Sequence, residues 1–387
     1  MPSPEILLQP HRPDNLHLVQ QLLNKARKEK VAYYPSPLDW RDEILYFLLP
    51  DRFSDGREEE RPMLTRTEIR RLRSVTSRPD INWQDWAESG KRWQGGTIKG
   101  IQSKLDYLCN LGITSLWIAP VFKQRNRKDT YHGYGIQDFL EIDPRFGTRE
   151  EMMNLVKQAH DKGIRIILDI IINHSGDNWG YLPPSADLQE CINEPPFKHF
   201  PDYYGNPGNL QTRDWKIAWR NEKDAGFTID PANIQSADDG VWPVELQQPR
   251  IYTRAGKGSL ADNDLSNPFS EHKRTDFFDL KDFALDSADV INYLSDCFKY
   301  WIALTDCDGF RIDTVKHISL EDARNFCGSI LEFAETIGKR NFLLVGEIAG
   351  GDHNQDYVLD NLALLQRNLK AALDIGSDRI NLTLAGK

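Results

Sequence analysis

An arginine and an aspartate stand two positions apart in the stretch DGFRIDTVKH, residues 308–317. The run is typical of a buried strand, in which alternate side chains share a face. Arg311 and Asp313 then point to one side, and Phe310 and Ile312 to the other. Burying charges is costly unless they are paired or used. Alone, the pair is most simply explained as a structural salt bridge, and a functional role requires other polar residues to converge on it.

A second carboxyl group is predicted to face the same interior. Glu347 ends the apolar run NFLLVGEI in phase with Leu343 and Val345. Because an adjacent cation lowers a carboxyl pKa, we expect Asp313 beside Arg311 to be ionised and able to act as a nucleophile. Glu347 has no cation beside it in the sequence, so it could stay protonated and donate a proton. This pairing is the one used for glycoside hydrolysis.

Polar residues also collect where other apolar runs end. Chemistry in parallel α/β barrels takes place at the carboxyl ends of the strands. A lone histidine is more often structural than catalytic, but convergence from four strand ends is what an active site requires. The residues concerned are His132, Tyr134, Asp169, Asn173, His174, Lys316 and His317, in addition to Arg311, Asp313 and Glu347.

Apolar runs of strand length alternate with segments of helical spacing. The runs ITSLWIAP, IRIILDIIINH, CDGFRID and NFLLVGEI are almost continuously apolar, which indicates strands buried on both faces. Helical segments such as REEMMNLVKQAHDKG precede them and end in glycine. The alternation predicts parallel βαβ units, and either a barrel or a doubly wound sheet would satisfy it.

The alternation stops between His174 and Ser287, in a segment rich in proline, glycine, asparagine, aspartate and aromatic residues. It is too long to be a passive loop, so we predict a small domain inserted after the third strand. Its tryptophans are expected to line a binding cleft in part, the alternative being that they form the insert's own core. They are Trp179, Trp215, Trp219 and Trp242.

Composition narrows the classes of partner. The chain has a formal net charge of -10, which is a poor match for nucleic acid or for an anionic membrane. No apolar run is long enough to span a bilayer. The opening residues lack a signal peptide pattern, and the five cysteines are scattered, so we expect a cytoplasmic, reducing location. No HxH or HExxH spacing supports a metal-dependent hydrolase.

The chain resembles the α-amylase family, glycoside hydrolase family 13. The stretches DIIINH, GFRIDTVKH and GEI occur in the family's order, with an insert between the first two, and YHGYGIQDF, DPRFGT and WIAPVF match as well. The resemblance implies a (β/α)8 TIM barrel with a domain inserted after the third strand. Divided accordingly, the chain has an N-terminal helical extension (1–40), a first part of the catalytic barrel (41–174), the inserted domain (175–287) and a barrel continuation (288–387).

The resemblance also assigns roles. It implies a retaining hydrolase of α-1,4-glucans or malto-oligosaccharides, with Asp313 as nucleophile, Glu347 as general acid/base and Arg311 positioning the nucleophile. A transglycosylase of the same family is an alternative. The residues implied in substrate binding are His132, Tyr134 and His174 around the attacked sugar, and Lys316 and His317 on the leaving-group side.

Calcium is the one cofactor that the resemblance implies. Family members often hold a structural calcium ion between the barrel and the insert. Asn173 and the backbone of His317 match ligand positions, and Asp279 in FFDLKDF is the expected third ligand.

One departure from the family pattern concerns the C-terminal part of the barrel. About six of the eight strands of this fold are recognisable, the last of them at AALDIG, and the barrel is predicted to be C-terminally incomplete. The family's third catalytic carboxylate, which follows a histidine, has no counterpart. Asp374 or Asp378 could take its place. The alternative function is therefore a catalytically incomplete module that binds sugar or a partner.

Overall fold

The computed structural model describes residues 14–28, 32–60, 65–67, 88–126, 128–184, 186–192, 195, 215–221, 226–234, 236–260, 267, 270–349 and 368–373. The strands within these ranges are β1 (Leu45–Leu48), β2 (Ser115–Ile118), β3 (Phe122–Gln124), β4 (Ile136–Ile142), β5 (Arg165–Ile170), β6 (His174–Ser175), β7 (Trp179–Leu182), β8 (Lys216–Asn221), β9 (Gly226–Thr228), β10 (Lys281–Asp282), β11 (Gly309–Ile312), β12 (Leu343–Glu347) and β13 (Ala371–Leu373).

The helices follow the start signals in the sequence. Thr148 and Glu151 form a reciprocal capping box at the start of one, and the Ser319 hydroxyl accepts from the Asp322 amide at the start of another. The described α-helices are α1 (Leu16–Lys28), α2 (Pro50–Phe53), α3 (Ile98–Ser103), α4 (Leu105–Asn110), α5 (Arg149–Asp161), α6 (Ala288–Thr305) and α7 (Leu320–Thr336). No helix in the described part of the chain has the length and apolar character needed to cross a membrane.

Six parallel strands form one curled sheet in the order β1-β2-β5-β11-β12-β13. The helices between these strands cover its outer face, where side chains such as Phe310 and Leu168 are buried. Ile167, Leu343 and Val345 form a small apolar cluster on the inner face. Over the described residues the architecture is a curled half-barrel that corresponds to part of a (β/α)8 barrel, as the sequence predicts.

The two edges of this sheet stay open within the described residues. β1 pairs only with β2, and β13 only with β12. Leu45 and Phe47 on β1 are each 45% exposed. Helical spacing of apolar residues before AALDIG predicts one more helix, at residues 359–370, which falls mostly on residues that the structure does not describe. Asp374 and Asp378 lie entirely outside the described residues.

The predicted N-terminal helix is present as α1. Its apolar face packs on α6 and buries residues spaced three and four apart, as a helix requires. The basic residues of its last turn, Lys25, Arg27 and Lys28, suit the negative end of the helix dipole.

Small antiparallel sheets and turns replace the βα alternation between β5 and α6. β7, β8 and β9 form one sheet, and β6 pairs with β10. Trp179 and Trp219 face each other across β7 and β8 and are fully buried, and Trp242 is 9% exposed. Trp215 packs against the same core. Three of these side chains are therefore buried in the core that barrel and insert share, and the fourth packs against it, so packing is the interpretation of the tryptophans that the structure supports.

Candidate active site

Strand register brings the polar residues of the half-barrel together. Arg311 on β11 is the partner of Asp169 on β5 and of Val345 on β12. Because the strands are parallel, their carboxyl ends meet at one edge, and Asp313 and Glu347 reach the same place two residues further on. The convergence expected from the sequence is observed for these four charged residues.

A single guanidinium group holds three carboxyl groups. Arg311 Nη1 lies 2.8 Å from Asp169 Oδ1 and 2.7 Å from Asp313 Oδ1. Arg311 Nη2 lies 2.9 Å from Glu347 Oε2. The guanidinium also lies over the Trp117 ring, 5.2 Å from its centroid. The pair of charges that the sequence suggested is therefore part of a four-residue cluster.

Glu347 has no cation beside it in the sequence, but it has one in the structure. That cation, Arg311, comes from the adjacent strand, so sequence neighbours alone do not describe the surroundings of Glu347. Glu347 also accepts a hydrogen bond from the Thr314 amide at 3.1 Å. Thr314 has φ +51°, a left-handed conformation that is uncommon for a β-branched residue. The unusual turn after Asp313 thus directs a backbone donor to the second carboxyl group.

Asp169 is the candidate site residue whose contacts sequence reasoning missed. One carboxyl oxygen accepts from Arg311, and the other accepts from Trp117 Nε1 and from the Tyr134 hydroxyl, both at 3.0 Å. Its position at a strand end was visible in the sequence. The register that places it beside Arg311 was not, and that register would have identified it.

Burial dominates the titration of the cluster. It raises the pKa of Asp169 to about 6, against the effect of Arg311 and of the Trp117 and Tyr134 hydrogen bonds. Burial also raises the pKa of Asp313 well above its usual range; the charge of Arg311 lowers it, while the neighbouring carboxyl groups raise it. The expectation that Arg311 holds the pKa of Asp313 low is therefore wrong, because one cation is shared among three carboxyl groups in a buried site.

Aromatic and imidazole rings surround the charged cluster. His132 stacks on Tyr134 with centroids 5.6 Å apart, and the Tyr134 amide donates to His132 Nδ1 at 3.2 Å. His174 stacks on Phe277 at 5.4 Å, and Phe277 meets His317 edge-on at 5.1 Å. Burial lowers the pKa of all three histidines, that of His174 to about 3, so these rings are neutral near pH 7.

The histidine that ends the motif, His317, is fixed by the insert. His317 Nδ1 lies 2.8 Å from the carbonyl oxygen of His272, so the ring nitrogen donates there. His317 is 9% exposed, and Lys316 before it is half-buried. The turn Val315–His317 contacts both β12 and the turn Glu271–Lys273. The structure therefore brings Lys316 and His317 to the side of the site where barrel and insert meet.

One of the expected calcium ligands, Asp279, has a cation as its partner in the structure. The Asp279 carboxylate is paired with Lys128, whose Nζ lies 2.6 Å from Oδ2. The Asn173 carbonyl accepts from the Phe283 amide, and the Asn173 side chain contacts His174. Among the residues that the structure describes, no group of three histidine, cysteine, aspartate or glutamate side chains could hold a metal ion.

A parallel half-barrel that gathers three carboxyl groups around one arginine at its strand ends defines an α/β-barrel protein with a candidate acidic active site. A family model described as the catalytic domain of alpha amylase matches residues 47–358. This range covers well over half of the chain, so the chain belongs to the α-amylase family, as its motifs suggest.

Individual relatives agree with this assignment. An alpha-amylase of Streptomyces lividans is 31% identical over 268 residues, which are 67% of this chain and 28% of that protein. A cyclomaltodextrin glucanotransferase of Klebsiella oxytoca is 29% identical over 361 residues, 90% of this chain and 45% of that one. The crystal structure of an alpha-amylase from Geobacillus thermoleovorans, complexed with acarbose, superposes with a TM-score of 0.54 at 25% identity and covers 87% of this chain and 52% of that chain. This chain thus spans less than half the length of these two curated relatives.

Proposed function

We propose that the chain carries the catalytic centre of a retaining enzyme that cleaves α-1,4-glucosidic bonds in starch-type glucans or malto-oligosaccharides. The observation that supports this most directly is the Arg311 guanidinium, which touches Asp169, Asp313 and Glu347 from three neighbouring strands. Two carboxyl groups flanking a sugar bond are what glycoside hydrolysis requires. Family membership supports the same class of chemistry, either hydrolysis or transfer.

In the first step, the Asp313 carboxylate attacks the anomeric carbon while Glu347 gives its proton to the departing glycosidic oxygen. A covalent glycosyl ester forms at Asp313, and the leaving sugar takes the proton. The attack requires Asp313 to be ionised, although burial favours its neutral form. The positive charge that develops on the sugar in the transition state favours an ionised Asp313, and Arg311 keeps that carboxylate in place.

In the second step, Glu347, now ionised, takes a proton from water, and the resulting oxygen attacks the anomeric carbon of the ester. The bond between the sugar and Asp313 breaks, so the carboxylate is regenerated and the product keeps the original anomeric configuration. If a sugar hydroxyl replaces water, the outcome is transglycosylation. The glucanotransferase among the relatives is consistent with that outcome.

Neutral rings are suited to binding the attacked sugar. His174 is 1% exposed, and in the described part of the chain its Nε2 has no hydrogen-bond partner. A buried donor without a partner is costly, and a sugar hydroxyl would satisfy it. The stacked His132 and Tyr134 provide a flat surface and further polar atoms. We assign these three residues to the attacked sugar, and Lys316 and His317 to the leaving-group side.

Covalent trapping tests the proposal directly. A 5-fluoro-α-glucosyl fluoride carries a good leaving group, and its fluorine slows the breakdown of the ester. We expect the intact mass of the chain to rise by one fluoroglucosyl group, with the label on the peptide that contains Asp313. The Asp313→Asn variant should take up no label. A matched control, Asp322→Asn at the start of α7, should be labelled like the wild type.

Two results would contradict the proposal. One is a label on a different carboxyl group, which would remove Asp313 from the nucleophile role. The other is binding of malto-oligosaccharide, seen by calorimetry, without any labelling or turnover. That second result would favour the alternative that the chain is an amylase-like binding module.

A further inference from the structure

Three loops at the mouth of the half-barrel are joined by one lysine. Lys128 Nζ lies 2.6 Å from Asp279 Oδ2 and 3.0 Å from Asp177 Oδ2. Lys128 precedes His132 by four residues, Asp177 follows His174 by three, and Asp279 belongs to the insert. The lysine therefore connects the loops after the second and third barrel strands to the insert.

The charges around this lysine are already balanced. Asp177 is 5% exposed, and its other carboxyl oxygen accepts from Arg220 of β8, with Nη2 at 2.8 Å and Nε at 3.1 Å. The Asp177 carbonyl accepts from Arg125 Nη1 at 2.6 Å. Two carboxylates thus have two cations, Lys128 and Arg220, as direct partners. A divalent ion added here would bring two further positive charges to carboxylates that are already paired with cations.

We propose that the ammonium group of Lys128 takes the structural role that calcium has in many members of this family, so that the junction of barrel and insert holds without a metal ion. A lysine ammonium has three hydrogen-bond donors and suits a site with two carboxylate oxygens. Calcium needs six to eight oxygen ligands, and the described side chains offer no group of three acidic, cysteine or histidine residues for a metal.

The clamp formed by Lys128, Asp177 and Asp279 has a consequence for the site. Lys128 and Asp177 lie within four positions of His132 and His174, the rings assigned above to sugar binding. Asp279 lies two positions after Phe277, which stacks on His174. Loss of the clamp should loosen these loops and lower the thermal stability of the junction, whether or not the chain turns over substrate.

Thermal unfolding of the wild-type chain is the first test. After chelator treatment, we expect the unfolding midpoint to change by less than about 1 °C when about 5 mM calcium chloride is added, since a ligand stabilises only a protein that binds it. Calorimetric titration of the same protein with calcium chloride should give no binding heat. A stabilisation by calcium that the Asp279→Asn variant abolishes would overturn the proposal.

Substitution of the lysine is the second test. Lys128→Met removes the charge and keeps the length, and we expect a midpoint lowered by roughly 3 °C or more. Lys128→Arg keeps the charge, so its unfolding midpoint should fall less than that of Lys128→Met. The control is Lys99→Met, because the Lys99 side chain is 72% exposed and pairs with Glu151 at 2.8 Å. The unfolding midpoint of this variant should hardly change. Equal midpoints for Lys128→Met and the control would overturn the role of Lys128.

Discussion

Arg311 and Glu347 lie on neighbouring parallel strands, with Arg311 Nη2 2.9 Å from Glu347 Oε2. The same guanidinium holds Asp313, which lies on the loop just after its own strand. The proposed nucleophile and the proposed proton donor are therefore fixed by one side chain. Any change in that side chain should disturb both steps of the reaction.

Replacing Arg311 by lysine should lower catalytic efficiency by far more than the loss of one hydrogen bond would. Lysine keeps the positive charge, but a compact ammonium cannot reproduce a planar fork that contacts three carboxyl groups. We expect Arg311→Lys to lower kcat/KM on a chromogenic malto-oligosaccharide by about 100-fold or more. The control is Arg149→Lys, because Arg149 is also buried but bonds to Tyr300 on the outer side of the barrel. Similar kcat/KM values for both variants would contradict the shared role of Arg311.

Glu347→Gln tests the proton donor. Glutamine keeps the size of the side chain but cannot donate the proton that a poor leaving group needs. We expect a loss of about 100-fold or more in kcat/KM on malto-oligosaccharides, and a much smaller loss on aryl glycosides with an acidic phenol. Asp313→Asn should abolish turnover of both kinds of substrate. If Glu347→Gln reduced both rates by the same factor, Glu347 would not be the acid.

The separation of the two carboxyl groups decides the stereochemistry. A retaining mechanism requires the carboxyl groups of Asp313 and Glu347 to lie about 5–5.5 Å apart, whereas inversion needs room for water and about 6.5 Å or more. We expect a crystal structure with bound malto-oligosaccharide to give the shorter distance. Proton NMR of the first product should correspondingly reveal the α-anomer. Initial formation of the β-anomer would remove the nucleophile role of Asp313.

The sequence pattern was sufficient for parallel βαβ units and for the inner face of the strands, and the family resemblance was needed to choose a barrel. Near-continuous apolar runs fixed the parallel sheet, and the two-residue period placed Arg311, Asp313 and Glu347 on one face. These are local properties, and the structure reproduces them. The family model confirms the resemblance that the motifs carried.

Contacts between strands were beyond the reach of the sequence. The role of Asp169 and the ion pair of Glu347 depend on register, which a single strand does not encode. The pairing of Asp279 with Lys128 joins residues 151 positions apart. A tryptophan-rich segment is typical both of sugar-binding clefts and of small hydrophobic cores, and only the packing of the side chains distinguishes these two roles.

Acid should destabilise the chain through His174. Burial lowers the pKa of its ring from 6.5 to about 3, so the folded state binds fewer protons than the unfolded state between these values. Stability from this group is therefore present above about pH 6.5 and is lost as the pH falls toward 3. The variant His174→Gln cannot titrate at this position. Between about pH 7 and pH 4.5, its free energy of unfolding should therefore fall less than that of the wild type, and the difference between the two falls should be up to about 2–3 kcal/mol.

Urea denaturation at the two pH values measures this difference. The effect of Asp169 on stability has the opposite sign, because its raised pKa makes the folded state take up protons below about pH 6. That contribution is common to the wild type and the variant, so it cancels in the comparison. His17→Gln, a change at an exposed position of α1, is the control and should leave the pH dependence unaltered. An equal pH dependence in the wild type and His174→Gln would contradict the buried, neutral state of His174.

The open edge at β1 should make the chain associate. Leu45 and Phe47 are exposed, and in the described part of the chain β1 pairs with β2 alone. Such open edges pair readily with other strands. We expect light scattering to give a mass that rises with concentration. The double variant Leu45→Lys, Phe47→Lys should suppress that rise, because inward-pointing charges oppose strand addition.

The control is the double variant Tyr107→Lys, Leu111→Lys, which removes two exposed apolar side chains from the α4 region, away from the edge. Association that the control suppresses equally would assign it to general surface hydrophobicity, and a wild-type chain that stays monomeric at all concentrations would mean that the β1 edge is covered.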